Sequence, residues 1–418
     1  MSENNNSIEV CIVDDGVNER YFNIGCLKND FQITSNLKMV NRDLKSKSYI
    51  NHGTICGGII KKFFQGCNIS SIRILDENCK GSKEQLLKAI EWCSNNNVKI
   101  VNLSLGTVDF LDFKEISDCI SNAVDKGLII IAAFNNLEKY TCPASLHNVI
   151  GVKCDRQGEL KDQEYYFIDE PIDGIDIIAS SNHILFDEEN NKREFSICNS
   201  FAVPAVSAKV CSIIEKNPES TFQDVKSILR KEAKKIINWK LNSNYFTYIN
   251  QRTLESIPVI QIIDNTAFQI GEKLMSILGE CFYKDLYNAA LIKYNKDMAS
   301  YSVSAVVKGE IDYKINNIIE TVQSIYSPHL FICHFENRRD IEFDSAKKKL
   351  DVETDVVIII FDEYINDLEY IDFYKGKDIE VIFVSSITLK AHTDIEVFIY
   401  NDYNSAVKLY RYIKNILL

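Results

Sequence analysis

No stretch of this sequence approaches the roughly 20 apolar residues that a membrane-spanning helix needs. Its start, MSENNNSIEVCIVDD, lacks the basic segment and apolar core of a secretory signal. Thirteen cysteines are scattered with no CxxC pair and no histidine at metal-ligand spacing. In a chain without an export signal these read as reduced thiols packed in cores, and a cytoplasmic protein is the expectation. Internal repeats and low-complexity segments are missing. Positive charge is scarce as well: 47 basic against 59 acidic residues give a formal net charge of −12. That argues against nucleic acid or an anionic membrane as the main partner.

What is present is an ordinary globular composition, 46% hydrophobic and 25% charged, over 418 residues. One hydrophobic core seldom grows that large, so two domains are expected. Up to about residue 240, short apolar runs alternate with helical patterns. IEVCIVDDG (8–16), NISSIRIL (68–75), VKIVNLSLG (98–106) and LIIIAAFNN (128–136) read as strands. KEQLLKAIEWCSNN (83–96) and FKEISDCISNAVDKG (113–127) read as helices, the second stopped by Gly127. KSILRKEAKKI (226–236) reads as a helix with charges on its outer face. Alternation of this kind predicts crossover units and a mostly parallel sheet, with the site beyond the carboxyl ends of the strands.

The text turns irregular between about 237 and 265, which puts a boundary near 245. Residues 1–245 then form one domain and 246–418 a second, smaller α/β domain. In the latter, helices are expected over 267–282, 314–326 and 405–418. Strands are expected over 289–295, 329–335, 355–361, 379–386 and 395–401. It contains neither GxxxxGK(S/T) nor GxGxxG, so the usual phosphate cradles are lacking and no cofactor is expected. Its acidic residues Asp340, Glu342, Asp355, Asp362 and Glu363 have no ligand spacing and read as surface or strand-end charges.

One junction invites chemistry. In FSICNSFAVPAVSAKVCSII (195–214), Ser200 stands at the mouth of a small apolar helix. The hydroxyl could simply cap that helix, with Pro204 tolerated in its first turn. A nucleophilic serine would need more: a base in reach, a carboxylate to hold that base, and donors where an oxyanion forms. Of six histidines only His52, in NHGTICGGII, opens a run of small residues at a helix start. Asp14 and Asn135 each end a strand. Asp15 and Asn136 are their neighbouring alternatives. Cys56 and Cys198 read as small packing residues, and His147, His183, His329, His334 and His392 as structural or surface residues.

The strings IVDDGV (12–17), HGTICGG (52–58), 71–106, IIAAFNN (130–136), CPASLHNVIGV (142–152) and NSFAVPAVSA (199–208) resemble, in order and spacing, the subtilisin-like serine proteases. The resemblance spans about 230 residues. It implies a doubly wound, mostly parallel sheet flanked by helices. It implies Ser200 as nucleophile, His52 as base, Asp14 orienting the imidazole, and Asn135 donating to the oxyanion with the Ser200 N–H. Ser104, Leu105 and Gly106 would pair with substrate backbone, and Ala133 and Phe134 would line the pocket before the scissile bond. The partner implied is a peptide or protein substrate, with residues 246–418 as a candidate for recognising it or a partner protein. No metal site is implied, because no acidic loop is dense enough to assign calcium.

Departures from the family pattern carry expectations of their own. Cys198–Asn199–Ser200 stands where the family has Gly–Thr–Ser, and Ile55 where it has a second histidine. Phe134 replaces a glycine and should narrow the pocket, making the enzyme selective. Only about seven residues precede the first strand, so a folding-assistant pro-segment is not expected. A narrower expectation is leader removal during peptide maturation, and the competing one a catalytically silent binding or scaffold protein.

Overall fold

The computed structural model describes residues 7–42, 50–238, 257–266, 270–294, 298–303, 307–312, 318–336, 354–361, 379–385 and 397–417. The chain divides into two units, Met1–Tyr245 and Phe246–Leu418. In the first, strands β1 (Glu9–Asp14), β2 (Asp30–Ile33) and β3 (Met39–Asn41) precede helix α1 (His52–Phe63). Then follow β4 (Asn68–Arg73), α2 (Lys83–Asn95), β5 (Ile100–Leu103), α3 (Phe110–Asp125), β6 (Ile129–Ala133) and β7 (Ile150–Cys154). The unit continues with β8 (Tyr165–Asp169), β9 (Ile177–Ala179), β10 (Ile184–Phe186) and β11 (Lys192–Glu194). It closes with α4 (Asn199–Lys216), α5 (Phe222–Glu232) and β12 (Lys235–Asn238).

The apolar runs become strands because every residue of β1, β5 and β6 is buried, as strands covered on both faces require. The sheet runs β12-β8-β9-β7-β6-β5-β1-β4-β2-β3. The pairs from β9 through β7, β6, β5, β1, β4 to β2 are parallel. Helix ends follow local chemistry. Ser82 and Gln85 form a reciprocal capping box on α2, and Thr221 and Asp224 form one on α5. Gly127, with φ +91°, takes the left-handed turn after α3.

β1 to β4 moves one way across the sheet, and β4 to β5 and β5 to β6 move the other. Right-handed crossovers therefore put α1 on one face and α2 and α3 on the opposite face. α4, buried nearly all round, joins α1, and Val203, Val206 and Val210 meet Ile12, Ile100 and Ile131 in one core. The reversal at β1 opens a crevice beyond the carboxyl ends of β4, β1 and β5.

Two sequence expectations change. The helix expected over 226–236 stops at Glu232, and Lys235–Asn238 is an edge strand parallel to β8. Ala233 at the helix end is extended, and β8 offers Ile236 and Ile237 a pairing that propensity cannot foresee. The strand expected over 128–136 ends at Ala133, leaving Asn135 in the loop beyond it.

In the second unit the strand order is Val307–Asp312, Met298–Val303, Ala289–Tyr294, Leu330–Glu336, Val259–Asp264, Val356–Phe361, Glu380–Ser385, Val397–Ile399. The last six are parallel, and the first two form an antiparallel hairpin on Ala289–Tyr294. Helices Ile270–Lys284 and Tyr403–Leu417 share one core, with Phe282 edge-on to Tyr410 at 4.9 Å. Among the described residues no helix is long and apolar enough to cross a membrane. Of the acidic residues noted in this unit, Asp355 is described, and its carboxylate accepts from Val259 N at 2.8 Å at a strand end. Asp340, Glu342, Asp362 and Glu363, like His392, lie outside the described residues.

Candidate active site

The turn after β1 is built to receive a helix. Gly16 has φ +98°, and an added Cβ would fall 1.6 Å from Arg42 Nη1, so only glycine fits. Gly53 is also held against backbone, since a Cβ there would lie 2.4 Å from Gly16 O. Asn51 Nδ2 donates to Asp15 O (3.1 Å) and Gly16 O (2.7 Å). The Asp15 carboxylate accepts from His52 N (3.1 Å) and Gly53 N (2.8 Å), so it caps α1. With α1 stapled to this turn, His52 Nδ1 lies 2.8 Å from Asp14 Oδ2. Asp14 is 1% exposed, and its other oxygen accepts from Asp15 N. An imidazole donating from Nδ1 to a carboxylate presents Nε2 as a base.

The two acidic neighbours thus divide the work. Burial disfavours charge on His52, but the charge and hydrogen bond of Asp14, helped by Asp15, outweigh it. The imidazole pKa is raised above its ordinary value. Burial, then the adjacent Asp14 charge, raise Asp15, and the two backbone donors only partly offset them.

Ser200 lies in the first turn of α4 but does not cap it. The N-cap is Cys198, which makes no side-chain capping bond. Nor is Pro204 in the first turn: it is the sixth residue of α4, so the Ser200 carbonyl loses its i+4 donor. Ser104 Oγ fills that gap, donating to Ser200 O at 3.0 Å. Ser200 Oγ in turn donates to Ser104 O at 3.4 Å. Asn102 Nδ2 donates to Ser104 Oγ (3.3 Å), and Ser207 Oγ to Asn102 Oδ1 (3.0 Å), extending the tie between β5 and α4. Phe201 stacks on the His52 ring at 5.2 Å and 27°. The imidazole is therefore seated against the residue that follows Ser200, while the hydroxyl itself rests on Ser104 O.

Asn135 is partly exposed just past β6. Its Oδ1 accepts from Leu137 N at 2.6 Å, so Nδ2 is the side-chain atom with protons to donate. The Asn136 amide oxygen instead accepts from Asn199 N at 3.3 Å. Ala133 and Phe134 are buried, at 5% and 3% exposure. Lys153 Nζ sits 4.3 Å over the Phe134 ring, held by Asp173 and Glu138. Leu105 is half-buried and Gly106 exposed, and Thr107 bridges to Cys142.

Ligand atoms of Asp14, His52 and Cys56 fall within 4.8 Å of one another. The Cys56 thiol is buried and contacts Ser104 Oγ at 3.5 Å, and burial, with Asp14 nearby, pushes its pKa well up. A protonated thiol is a poor ligand, and Asp14 is already engaged by His52, so the trio is satisfied as packing. His183 bonds Asp162 at 2.9 Å, His329 accepts from Asn288 N, and His147 is exposed. Sequence reasoning passed over two residues of the site, Asn199 and Phe201. Asn199 shows in the sequence as a departure next to Ser200 and Phe201 gives no signal, because the partners lie 45 residues away for Asn199 at Cys154 and 149 for Phe201 at His52.

A parallel sheet whose carboxyl edge collects a carboxylate–imidazole pair, a helix-borne serine and a side-chain amide has the layout of an α/β serine hydrolase. The family model described as the subtilase family matches residues 5–251, and the chain belongs to that family. It is 25% identical over 237 residues to the minor extracellular protease Epr of Bacillus subtilis (strain 168), covering 54% of this chain and 35% of that one. It is 26% identical over 187 residues to a thermophilic serine proteinase of Bacillus sp. (strain AK1), covering 41% and 45%. The chain thus spans less than half the length of either relative. Among solved structures it is similar to a lanthipeptide protease (16% identity, 54% and 80% covered, TM-score 0.44). It is also similar to the prenylagaramide maturation protease PagA (23%, 53% and 82%, TM-score 0.39).

Proposed function

We propose that this chain is a selective serine endopeptidase working by acyl transfer through Ser200, His52 and Asp14. The observation that carries it is the 2.8 Å Asp14–His52 bond, with the imidazole stacked against Phe201 beside Ser200. A substrate strand pairs with the backbone of Ser104–Leu105–Gly106, main-chain bonds supplying affinity. Ser200 Oγ leaves Ser104 O for His52 Nε2 and attacks the scissile carbonyl carbon, while His52 takes its proton. The oxyanion accepts from Asn135 Nδ2 and Ser200 N–H. Collapse breaks the C–N bond as His52 returns the proton to the leaving amine. Water, deprotonated by His52, then cleaves the acyl ester. Base catalysis contributes about 10²–10⁴ in rate, and one oxyanion donor about 10²–10³.

Selectivity enters through Phe134, which fills space where a bulky side chain would need room and so favours small residues before the scissile bond. Maturation of one particular peptide in the cytoplasm, with the second unit recognising substrate or a partner protein, is the narrower form of the proposal. A fluorophosphonate probe is expected to label the full-length protein and not Ser200→Ala. Mass spectrometry of a defined peptide set should show one dominant cut. The Ser200–Ser104 bond favours a second reading, a silent peptide-binding protein. Tight peptide binding with no labelling of any preparation would establish that reading and remove the first.

A further inference from the structure

Asn199 is 1% exposed, and its side-chain amide spends all three of its bonds on backbone groups. Oδ1 accepts from Cys154 N at 2.9 Å, and Nδ2 donates to Phe134 O at 3.0 Å and Asn135 O at 3.2 Å. Its own N–H donates to Asn136 Oδ1 at 3.3 Å. One planar amide therefore joins the carboxyl ends of β6 and β7 to the start of α4, and it is covalently next to Ser200. Water has no access to replace it.

We propose that Asn199 is the positioning residue of this site, fixing the separation between the Ser200 hydroxyl and the Asn135 amide. The residue type follows from the partners. Two carbonyls and one N–H converge, so the site needs two protons and one acceptor in a plane, which asparagine supplies. The threonine of the Gly–Thr–Ser pattern has a single proton and can serve only one of the two carbonyls. Asn199 is thus a local solution with its own hydrogen-bond set. It acts through the two neighbours and does not touch the reacting atoms.

The inference rests on the reading of Ser200 as nucleophile, so the experiment separates the two. Full-length wild type, Ser200→Ala, Asn199→Ala and Asn199→Thr are compared for fluorophosphonate labelling and for kcat and KM across pH. Circular dichroism checks that each is folded. The expected result is wild-type labelling lost in Ser200→Ala, and a plateau kcat about 10²-fold lower in Asn199→Ala, as misplacement by about 1 Å produces. Asn199→Thr, which keeps the acceptor and one proton, should fall about 10-fold. In both Asn199 variants KM should stay within about twofold and the acid limb set by His52 should not move, because neither uniform binding nor the base has changed. Asn199→Ala strands three buried backbone groups and can unfold the protein; the threonine variant then decides alone. A folded Asn199→Thr protein with wild-type kcat, or with raised KM and unchanged kcat, overturns the inference while the nucleophile stands. No labelling of wild type overturns the nucleophile and the inference with it.

Discussion

Both units end their first central parallel strand in a buried aspartate with a histidine nearby, and the two pairs are arranged differently. Asp14 closes β1 and Asp264 closes Val259–Asp264, each 1% exposed. His52 bonds Asp14 at 2.8 Å, keeps 30% of its side chain exposed and is stacked against Phe201. His334 stands 3.8 Å from Asp264, is 1% exposed, and among the described residues neither ring nitrogen has a hydrogen-bond partner within normal reach. Asp264 instead accepts from Thr266 N, Thr266 Oγ1 and Gly271 N, bracing a turn and the start of Ile270–Lys284. A carboxylate and an imidazole at the carboxyl edge of a sheet are therefore common material. A helix-borne serine and a side-chain amide beside a partly exposed imidazole make one pair a candidate engine, while the other braces a turn.

The largest separation between the two should come from the aspartates. Asp14→Asn is expected to lower kcat by about 10⁴-fold, because the imidazole loses its orientation and tautomer. Asp264→Asn should leave turnover unchanged while costing about 1–3 kcal/mol, since an amide N–H then faces the Gly271 N–H. Steady-state kinetics and calorimetric unfolding of both variants read this directly; equal activity losses would erase the contrast. The pH profile sharpens it. The base must be neutral, so activity rises through the His52 pKa, which the Asp14 charge lifts above the ordinary value of about 6.5. In Asp14→Asn the acid limb should move to lower pH. The linked stability has the same sign: protonated His52 favours the folded state fully below about pH 6.5, and that contribution is lost as pH rises through the folded-state pKa.

Next in size is the side-chain amide beyond β6. Asn135→Asp keeps the acceptor for Leu137 N but removes the Nδ2 proton, and kcat should fall about 10²–10³-fold with KM little changed. A fall in KM-linked binding alone would mean that Asn136 or a backbone group serves the oxyanion. Smaller again is the pocket effect. Phe134→Ala clears space beneath Lys153, so the ratio of kcat/KM for a bulky against a small residue before the scissile bond should rise about 10–100-fold. Taking the ratio within one variant cancels its loss of stability. An unchanged ratio would place the selectivity elsewhere.

How much of this could be read from the chain follows from distance along it. Continuous apolar runs such as LIIIAA show the strands, since burial on both faces marks the local sequence, and the turn IVDDG with NHGT announces a close approach of strand end and helix start. The first strand of the second unit does not stand out in the sequence, although VIQII (259–263) is apolar, because it sits in irregular text. The end of α5 is hidden in the sequence because the competing partner, β8, is 69 residues away. Asn199 looked like a defect in a motif. Its meaning depends on carbonyls at 134 and 135 and an N–H at 154, which only folding assembles. The role of Pro204 likewise needed Ser104, 100 positions upstream, to appear.

The smallest expected effect tests whether His334 is a strut at all. Its two ring nitrogens are buried without partners among the described residues, and it packs against Gly271, where an added Cβ would meet Nε2 at 2.6 Å. If the imidazole is neutral and serves by volume, His334→Leu removes two unsatisfied polar atoms and leaves a similar bulk. Stability should then change by about 1 kcal/mol or less, in either direction. Turnover should not change. If His334 is instead charged and held by Asp264, losing it leaves a buried carboxylate short of a counter-charge, and the cost would rise to about 3–5 kcal/mol. Calorimetric unfolding of the full chain separates these cases by the size of the loss.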